Sequence, residues 1–410
     1  MAKKEKAKKV KRGIKALIII AIIIGVIGAT VGSIFIATVV EVKKNIKLAK
    51  SYASQEKDDA LVPTLDENGY WTFTTDDEFV VLQLTDIHIG GGSFSSRKDK
   101  MAMKAISELV ETSRPDLIIV TGDIAYPVPF SSGSFNNLNP TKIFANFMNS
   151  LGVFWTVTLG NHDSEVYSYY SREEIAKYYL DKDVNYAHNK NARCLYQIGP
   201  EDVDGYGNYF INVKNSQGII TQAVMMMDSH SYIEGDSFGI KWRYDNIHQN
   251  QIDWYANEIN KLDAQNKLID NESPMIKSLA FFHIPLQEYL LAWTEYMEND
   301  YKDTENVKLV YGGAGESGKI VYCGVYPDKM FETMLELGST QGIFVGHDHL
   351  NNFSLDYKGI RLTYGMSIDY LAYMGISKKV EQRGGTVITI TPDGSFDCYG
   401  LRLHDKAVLP

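Results

Sequence analysis

Phe79-Val-Val-Leu-Gln-Leu-Thr-Asp86-Ile-His88 sets a run of apolar, strand-forming residues directly ahead of a carboxylate and an imidazole. The pattern recurs along the chain. Gly122-Asp123 follows Leu117-Ile-Ile-Val120, Gly160-Asn161-His162-Asp163 follows Phe154-Trp-Thr-Val-Thr-Leu159, His283 follows Leu279-Ala-Phe-Phe282, and Gly346-His347-Asp-His349 follows Ile343-Phe-Val345. In an open α/β sheet, ligands bind in the crevice beyond the carboxyl ends of the strands, so these polar clusters can converge on one place. Asp86 and His88, like His347 and His349, stand two residues apart, which in extended chain puts both members of a pair on one side. Glycine ahead of three of the clusters lets the backbone turn sharply.

Carboxylate, imidazole and amide oxygen are donors for hard to borderline divalent metals, and no thiolate stands among them. Asp86, His88, Asp123, Asn161, His283, His347 and His349 make seven candidate ligands, too many for a single catalytic ion with an open position. Two metals fit if one carboxylate bridges. A single histidine at a strand end is ordinarily a hydrogen-bonded structural residue; that reading weakens when the clusters follow one another in this order.

The ordered series Asp-x-His, Gly-Asp, Gly-Asn-His-Asp, His and Gly-His-x-His, from about Glu78 to Tyr364, resembles the calcineurin-like metallophosphoesterase superfamily, which includes the purple acid phosphatases. His283-Ile-Pro-Leu-Gln-Glu288 and Gly346-His-Asp-His-Leu-Asn-Asn352 are similar to its Dcr2-type and plant purple-acid-phosphatase-like branch. The resemblance implies an α/β fold, two facing mixed β-sheets flanked by helices. It implies a first metal at Asp86, His88 and His349, a second at Asn161, His283 and His347, and Asp123 bridging. Metal identity is open among Mn, Fe, Zn and Mg.

Paired cations ~3.5–4 Å apart clamp a phosphoryl oxygen and share a water that ionises near neutral pH, giving a hydroxide in line with phosphorus. His162, beside ligand Asn161, is expected to bind the substrate phosphate or protonate the leaving oxygen, with Asp163 fixing its orientation. The plainer alternative is a further ligand or a loop-packing residue. Tyr126 sits at the purple acid phosphatase spacing of a ferric-iron ligand, but those enzymes lack the histidine of Asp-x-His. Here His88 is favoured as ligand, and Tyr126 is expected to pack or to face substrate. His230 is expected to line the pocket, His188, His248 and His404 to lie at the surface or in packing, and Asn351 and Asn352 to orient ligands from behind or to turn the chain.

Residues 16–40 form an uncharged run of 25 residues, long enough to cross a bilayer core of about 30 Å as a helix. Signal peptides have shorter apolar regions and a small-x-small cleavage site; the small residues of Ala29-Thr-Val-Gly-Ser33 lie in mid-span, so an uncleaved anchor is expected. The heavier basic flank, residues 1–15, favours the cytoplasmic side, which places the remainder outside the cell. Residues 41–69 read as a tether or continuing helix, and 70–410 as the phosphoesterase domain.

Of 41 Lys and Arg and 51 Asp and Glu, residues 1–50 hold 12 basic and two acidic, leaving the rest acidic by about 20 charges. Such a surface repels polyanions, so nucleic acid is not an expected partner. A small phosphoester must be attracted locally, by the cations themselves. Cys194, Cys323 and Cys398 are odd in number and widely spaced, and no disulfide is assigned among them.

Helical spacing at Lys98–Thr112 and Thr141–Leu151 between the first strands gives β-α-β units. Ile247–Leu262 is a further helix, and Tyr209–Val213, Gln222–Met227, Phe353–Tyr357, Arg361–Tyr364 and Thr386–Thr391 read as strands, the last three antiparallel. Gly313-Ala-Gly-Glu-Ser-Gly-Lys319 fits a nucleotide-binding phosphate loop but lacks the following Ser or Thr and a following helix; P-loop nucleotide binding is not expected. The function these readings favour is a membrane-anchored phosphomonoesterase. A cyclic-nucleotide or phospholipid-headgroup phosphodiesterase would share the two-metal core, and a catalytically dead sensor domain would be expected to have lost a ligand.

Overall fold

Helix α1 (Ala2–Ala49) and short strands β1 (Thr64–Leu65) and β2 (Trp71–Thr74) precede the alternating series. That series is β3 (Phe79–Leu84), α2 (Ser96–Ser113), β4 (Leu117–Thr121), α3 (Pro129–Ser132), α4 (Leu138–Ser150) and β5 (Phe154–Thr158). Next come α5 (Arg172–Tyr179), β6 (Tyr209–Lys214), β7 (Ile220–Met226), α6 (Gln249–Ile269), β8 (Ser278–Phe281), α7 (Gln287–Glu298) and β9 (Val307–Tyr311). The chain closes with α8 (Met330–Leu337), β10 (Thr340–Val345), β11 (Ser354–Tyr357), β12 (Ile360–Tyr364), β13 (Gly384–Ile390) and β14 (Phe396–Arg402). The computed structural model describes residues 1–236, 239–318, 320–373, 375–376 and 382–403; His404 and Lys319 lie outside them.

The strands form two sheets, one in the order β14-β13-β3-β4-β5 and the other in the order β1-β2-β6-β7-β8-β10-β12-β11-β9. Strands β3, β4 and β5 are parallel, as are β7, β8, β10 and β12. The alternation of side chains along a strand decides the layering. Met226, Phe281 and Phe344 of the larger sheet join Val81, Leu84 and Ile388 of the smaller in one buried cluster that also takes in Ile106 of α2 and Phe147 of α4. Their neighbours Met225, Ala280 and Ile343 join Ile252, Tyr255 and Ile259 of α6, Tyr289 and Trp293 of α7 and Met334 of α8. The result is helix, sheet, sheet, helix, the mixed sandwich that the resemblance implies. β12 differs from the antiparallel expectation: it runs parallel to β10, with Ile343 opposite Leu362, and antiparallel only to its hairpin partner β11.

Helix α1 is long and apolar enough to cross a membrane. The hydroxyls of Thr30 and Ser33 inside its apolar run donate to the carbonyls of Val26 and Ala29, so they need no water. Its final turns pack on the domain: Ser96 donates to Glu41 and Asn45, and Ser150 donates to the Ala49 carbonyl.

Phe281 and Phe344 stack at 4.9 Å between the two sheets. Phe344→Ala should therefore cost roughly 3–5 kcal/mol in guanidinium unfolding, the usual figure for deleting a buried ring. A loss below about 1 kcal/mol would mean the sheets are not joined there.

Candidate metal centre

Because the strands of both parallel sets end on the same edge, their following residues meet. Asp86 and His88 follow β3, Asp123 follows β4, Asn161 follows β5, His283 follows β8, and His347 and His349 follow β10. Left-handed backbone falls on the ligands themselves, with φ of 49° at Asp86, 52° at His88, 53° at Asp123 and 78° at His347. Such conformations cost on the order of 1–3 kcal/mol each and persist where the surroundings enforce them. The neighbouring glycines mainly supply room. A Cβ on Gly160 would sit 2.1 Å from Asp123 Oδ1, and one on Gly346 would sit 1.9 Å from Thr85 Oγ1.

The side chains form two groups that share Asp123: Asp86, His88, Asp123 and His349, and Asp123, His283 and His347, each with ligating atoms within 4.8 Å of one another. Asp123 Oδ2 stands 3.4 Å from His88 Nε2 and 3.3 Å from His283 Nε2. His349 Nε2 is 3.4 Å from Asp86 Oδ1. His283 Nδ1 lies 2.7 Å from the Thr121 carbonyl, which can only accept, so Nδ1 carries a proton and, in the neutral ring that a metal ligand requires, Nε2 carries the lone pair. That lone pair faces Asn161 Oδ1 at 3.1 Å, His347 Nδ1 at 3.3 Å and the Asp123 carboxylate. A carboxylate, an amide oxygen and imidazole nitrogens converging on one point fit a cation, and the donor set suits a divalent one. Asp123 Oδ1 accepts the His162 backbone N–H at 2.8 Å, which fixes the carboxylate's tilt. Burial alone would raise the Asp123 pKa, but the positive charge that His283 and His162 carry when their rings are protonated more than offsets it and holds the group well below the usual carboxylate range.

Two acids missed in the sequence hold the histidines. Glu165 Oε1 meets His162 Nδ1 at 2.7 Å and accepts from Tyr232 Oη at 3.0 Å, while that phenol accepts from Asn161 Nδ2 at 2.9 Å. Asp369 lies 3.5 Å from His88 Nδ1 and 3.4 Å from His349 Nδ1, so one carboxylate faces the far nitrogens of two ligands. Its own oxygens accept backbone N–H groups of Leu371, Ala372 and Tyr373. A carboxylate shortly after an apolar run, as Asp369 is after β12, was the available signal.

Other expectations are redirected. Asp163 does not reach the His162 ring; it accepts the backbone N–H groups of Asp123, Ala125 and Gly160 and thereby ties two ligand loops together. His230 turns away from the cage, bonding Gln251 at 2.8 Å and stacking on His248 at 4.1 Å, because a φ of 63° reverses the chain there. Tyr126 packs edge-on against His88 and His162, at 5.2 Å from each. Asn351 accepts the N–H groups of Gly315 and Glu316, and Asn352 that of Gly313. They anchor the glycine-rich loop beside the site rather than orient ligands. Three of the loop's amides are thereby engaged by side chains.

Arg172 fastens the far side. Its guanidinium pairs with buried Asp228 and donates to the carbonyls of Leu159, Gly160 and His230.

Above the ligands lies a cavity of about 220 Å³, walled by Trp242, Tyr244, Tyr322 and Tyr373 and floored by His162, His347 and His349. Glu316 and Asp348 also line it, and among the described residues no lysine or arginine does. A larger cavity of about 500 Å³, lined by Tyr70, His188, Trp254 and Glu258, contains none of the ligands.

The sequence model of the calcineurin-like phosphoesterase family matches residues 79–351, about two thirds of the chain. The chain belongs to that family. The phosphoesterase is 27% identical over 323 residues, 73% of each chain, to the probable inactive purple acid phosphatase 14 of Arabidopsis thaliana. It is 25% identical to phosphatase DCR2 of Saccharomyces cerevisiae over 69% of its own length and 46% of that protein's. A dimetal phosphatase from Danio rerio aligns over 79% of this chain and 96% of its own, with a TM-score of 0.46 and 10% identity. Family membership and the clustered ligands make it a metal-dependent phosphoesterase whose Asp and His residues can hold metal ions.

The Asp228 carboxyl would be raised by burial, yet Arg172 draws it down from 3.8 to about 2. Its stabilising contribution, roughly 2 kcal/mol by linkage, should be complete above pH 3.8 and lost as pH falls towards 2. Arg172→Met should cost ~3–5 kcal/mol at neutral pH by stranding the carboxylate. Thermal unfolding against pH checks both expectations. Gly160→Ala should lower bound metal at equal folding, read by elemental analysis and circular dichroism.

Proposed function

We propose that the chain is a membrane-anchored two-metal phosphomonoesterase, with Asp86, His88 and His349 holding one ion, Asn161, His283 and His347 the other, and Asp123 between them. The observation that carries this reading is the convergence of His283 Nε2, the ring nitrogen left facing the site by the Thr121 carbonyl, with the Asp123 carboxylate and the Asn161 amide oxygen. Two bound divalent cations supply Lewis acidity towards a phosphoryl oxygen and lower the pKa of a shared water.

The chain's own residues do the rest. Asp369 behind His88 and His349, and Thr121 behind His283, hold the imidazoles in place. His162, its side chain 28% exposed, opens to the cavity while its Nδ1 is held by Glu165. Its Nε2 is then the atom that meets the phosphate or gives a proton to the leaving oxygen. The aromatic walls narrow the approach to the ligands. With no cationic side chain among the described lining residues, the imidazole and the bound ions must meet the phosphate charge together. Helix α1 supports attachment to a membrane with the domain outside the cell, given its lysine-rich amino-terminal flank.

Several relatives are described as probable inactive phosphatases, so turnover itself is the first measurement. The purified full chain, stripped by chelator and reloaded with Mn²⁺, Zn²⁺ or Fe²⁺, should cleave a chromogenic phosphomonoester faster than its diester. Preference for the diester would move the assignment to a phosphodiesterase, and no turnover with any metal would leave a binding domain. His162→Ala should keep its metals and lose ~10²–10⁴-fold in kcat, whereas Asp123→Ala should lose both ions. Glu165→Gln should retain metal content and shift the pH profile of kcat, which a purely structural role would leave unmoved.

A further inference from the structure

Five large apolar or aromatic side chains stand exposed on neighbouring loops: Phe94 at 53%, Phe130 at 97%, Phe135 at 41%, Val166 at 54% and Tyr169 at 64%. They form one surface. Phe94 donates its N–H to Ser132, and Tyr169 donates its N–H to Phe135, whose ring it also stacks on at 6.3 Å. Asn137 ties the patch to the site by donating to the Asp163 and Tyr170 carbonyls at 2.9 and 2.8 Å.

The same loops grip α1. Buried Thr38 meets Ser93 Oγ at 3.2 Å and the Gly133 carbonyl at 3.3 Å, and accepts the Ser93 N–H at 3.2 Å. The uncharged run of 25 residues, 16–40, is about 37 Å long as a helix, against a hydrocarbon core of about 30 Å. Thr38 therefore falls in the headgroup layer, and the loops bonded to it fall there as well. Exposed Arg97 and Lys98 stand in the first turn of α2, three and four residues after Phe94, and exposed Lys43 lies five residues beyond Thr38. Rings with cations at their edge are the composition of an interfacial surface.

We propose that the domain rests on the lipid bilayer through this face, with Phe94, Phe130 and Phe135 inserted at the boundary between headgroups and acyl chains. The inference rests on reading α1 as a membrane anchor. The loop that carries His162 continues into Val166 and Tyr169, so the cage opens beside the lipid headgroups, and the domain cannot swing free at the end of a tether.

The test uses the full chain in phosphatidylcholine vesicles containing phosphatidylserine, with Cys323→Ser as background because Cys194 and Cys398 are buried. An environment-sensitive bimane is attached through Phe130→Cys, Ile22→Cys in the span, or Leu268→Cys, which is 88% exposed on α6. Lipids brominated high on the acyl chain should quench the probes at Phe130→Cys and Ile22→Cys and leave the one at Leu268→Cys unchanged. Quenching at Ile22→Cys without quenching at Phe130→Cys would overturn the inference and leave the anchor standing. Blue-shifted but unquenched emission at Phe130→Cys would give the face to another protein surface and also overturn it. No quenching at Ile22→Cys would remove the anchor reading itself.

Discussion

The centre depends on one fixed proton. The Thr121 carbonyl, at the end of β4, takes the hydrogen of His283 Nδ1 and leaves Nε2 as the ring nitrogen that faces the Asp123 carboxylate and the Asn161 amide oxygen. In a buried place with little water to intervene, such an arrangement needs positive charge inside it, carried by a second proton on the ring or by a cation. A neighbouring strand therefore decides the tautomer of a ligand carried by a strand of the other sheet. Asp123 is constrained in the same way, with one oxygen committed to the His162 amide and the other directed at both groups of ligands.

Those commitments account for the strain around the site. Four ligands occupy left-handed backbone, and the loops are pinned by polar clamps: Asp163 on three amides, Arg172 on three carbonyls. Each clamp is a buried charge whose hydrogen bonds cross between loops that are remote in sequence. Rigid strands end in unfavourable turns, and the turns are held by groups that cannot relax without leaving a charge unpaired.

The parts of this visible in the sequence are those repeated locally. An apolar run followed by a polar cluster is readable because the strand and its polar residue are covalent neighbours, and the seven candidate ligands are brought near one another from strand ends. Asp369 escaped because its partners are met only in three dimensions, and most of the chain separates it from His88; Glu165 stands three residues from His162, but nothing in the local sequence says that its side chain turns back to the ring. Asp163 was given the wrong partner for the same reason, since adjacency to His162 says nothing of where its oxygens point once the 3₁₀ turn His162–Ser164 has formed. Helix α7 was missed although Tyr289, Ala292, Trp293 and Tyr296 are buried at helical spacing; its aromatic residues also suit strands. The parallel pairing of β12 with β10 depends on a crossover that no local pattern encodes.

Charge gives the last constraint. Beyond residue 50 the chain is acidic by about 20 charges, and the described lining of the cavity adds Glu316 and Asp348 but no lysine or arginine. A phosphoester is repelled by that domain at long range and, among the described lining residues, meets no lysine or arginine at short range. Only ions held by the carboxylates and imidazoles, together with His162, can reverse the sign locally. If the ions sit where the proposed function places them, metal loading and substrate recognition are coupled electrostatically, and affinity for a phosphoester should fall when the metals are removed even if every side chain keeps its place.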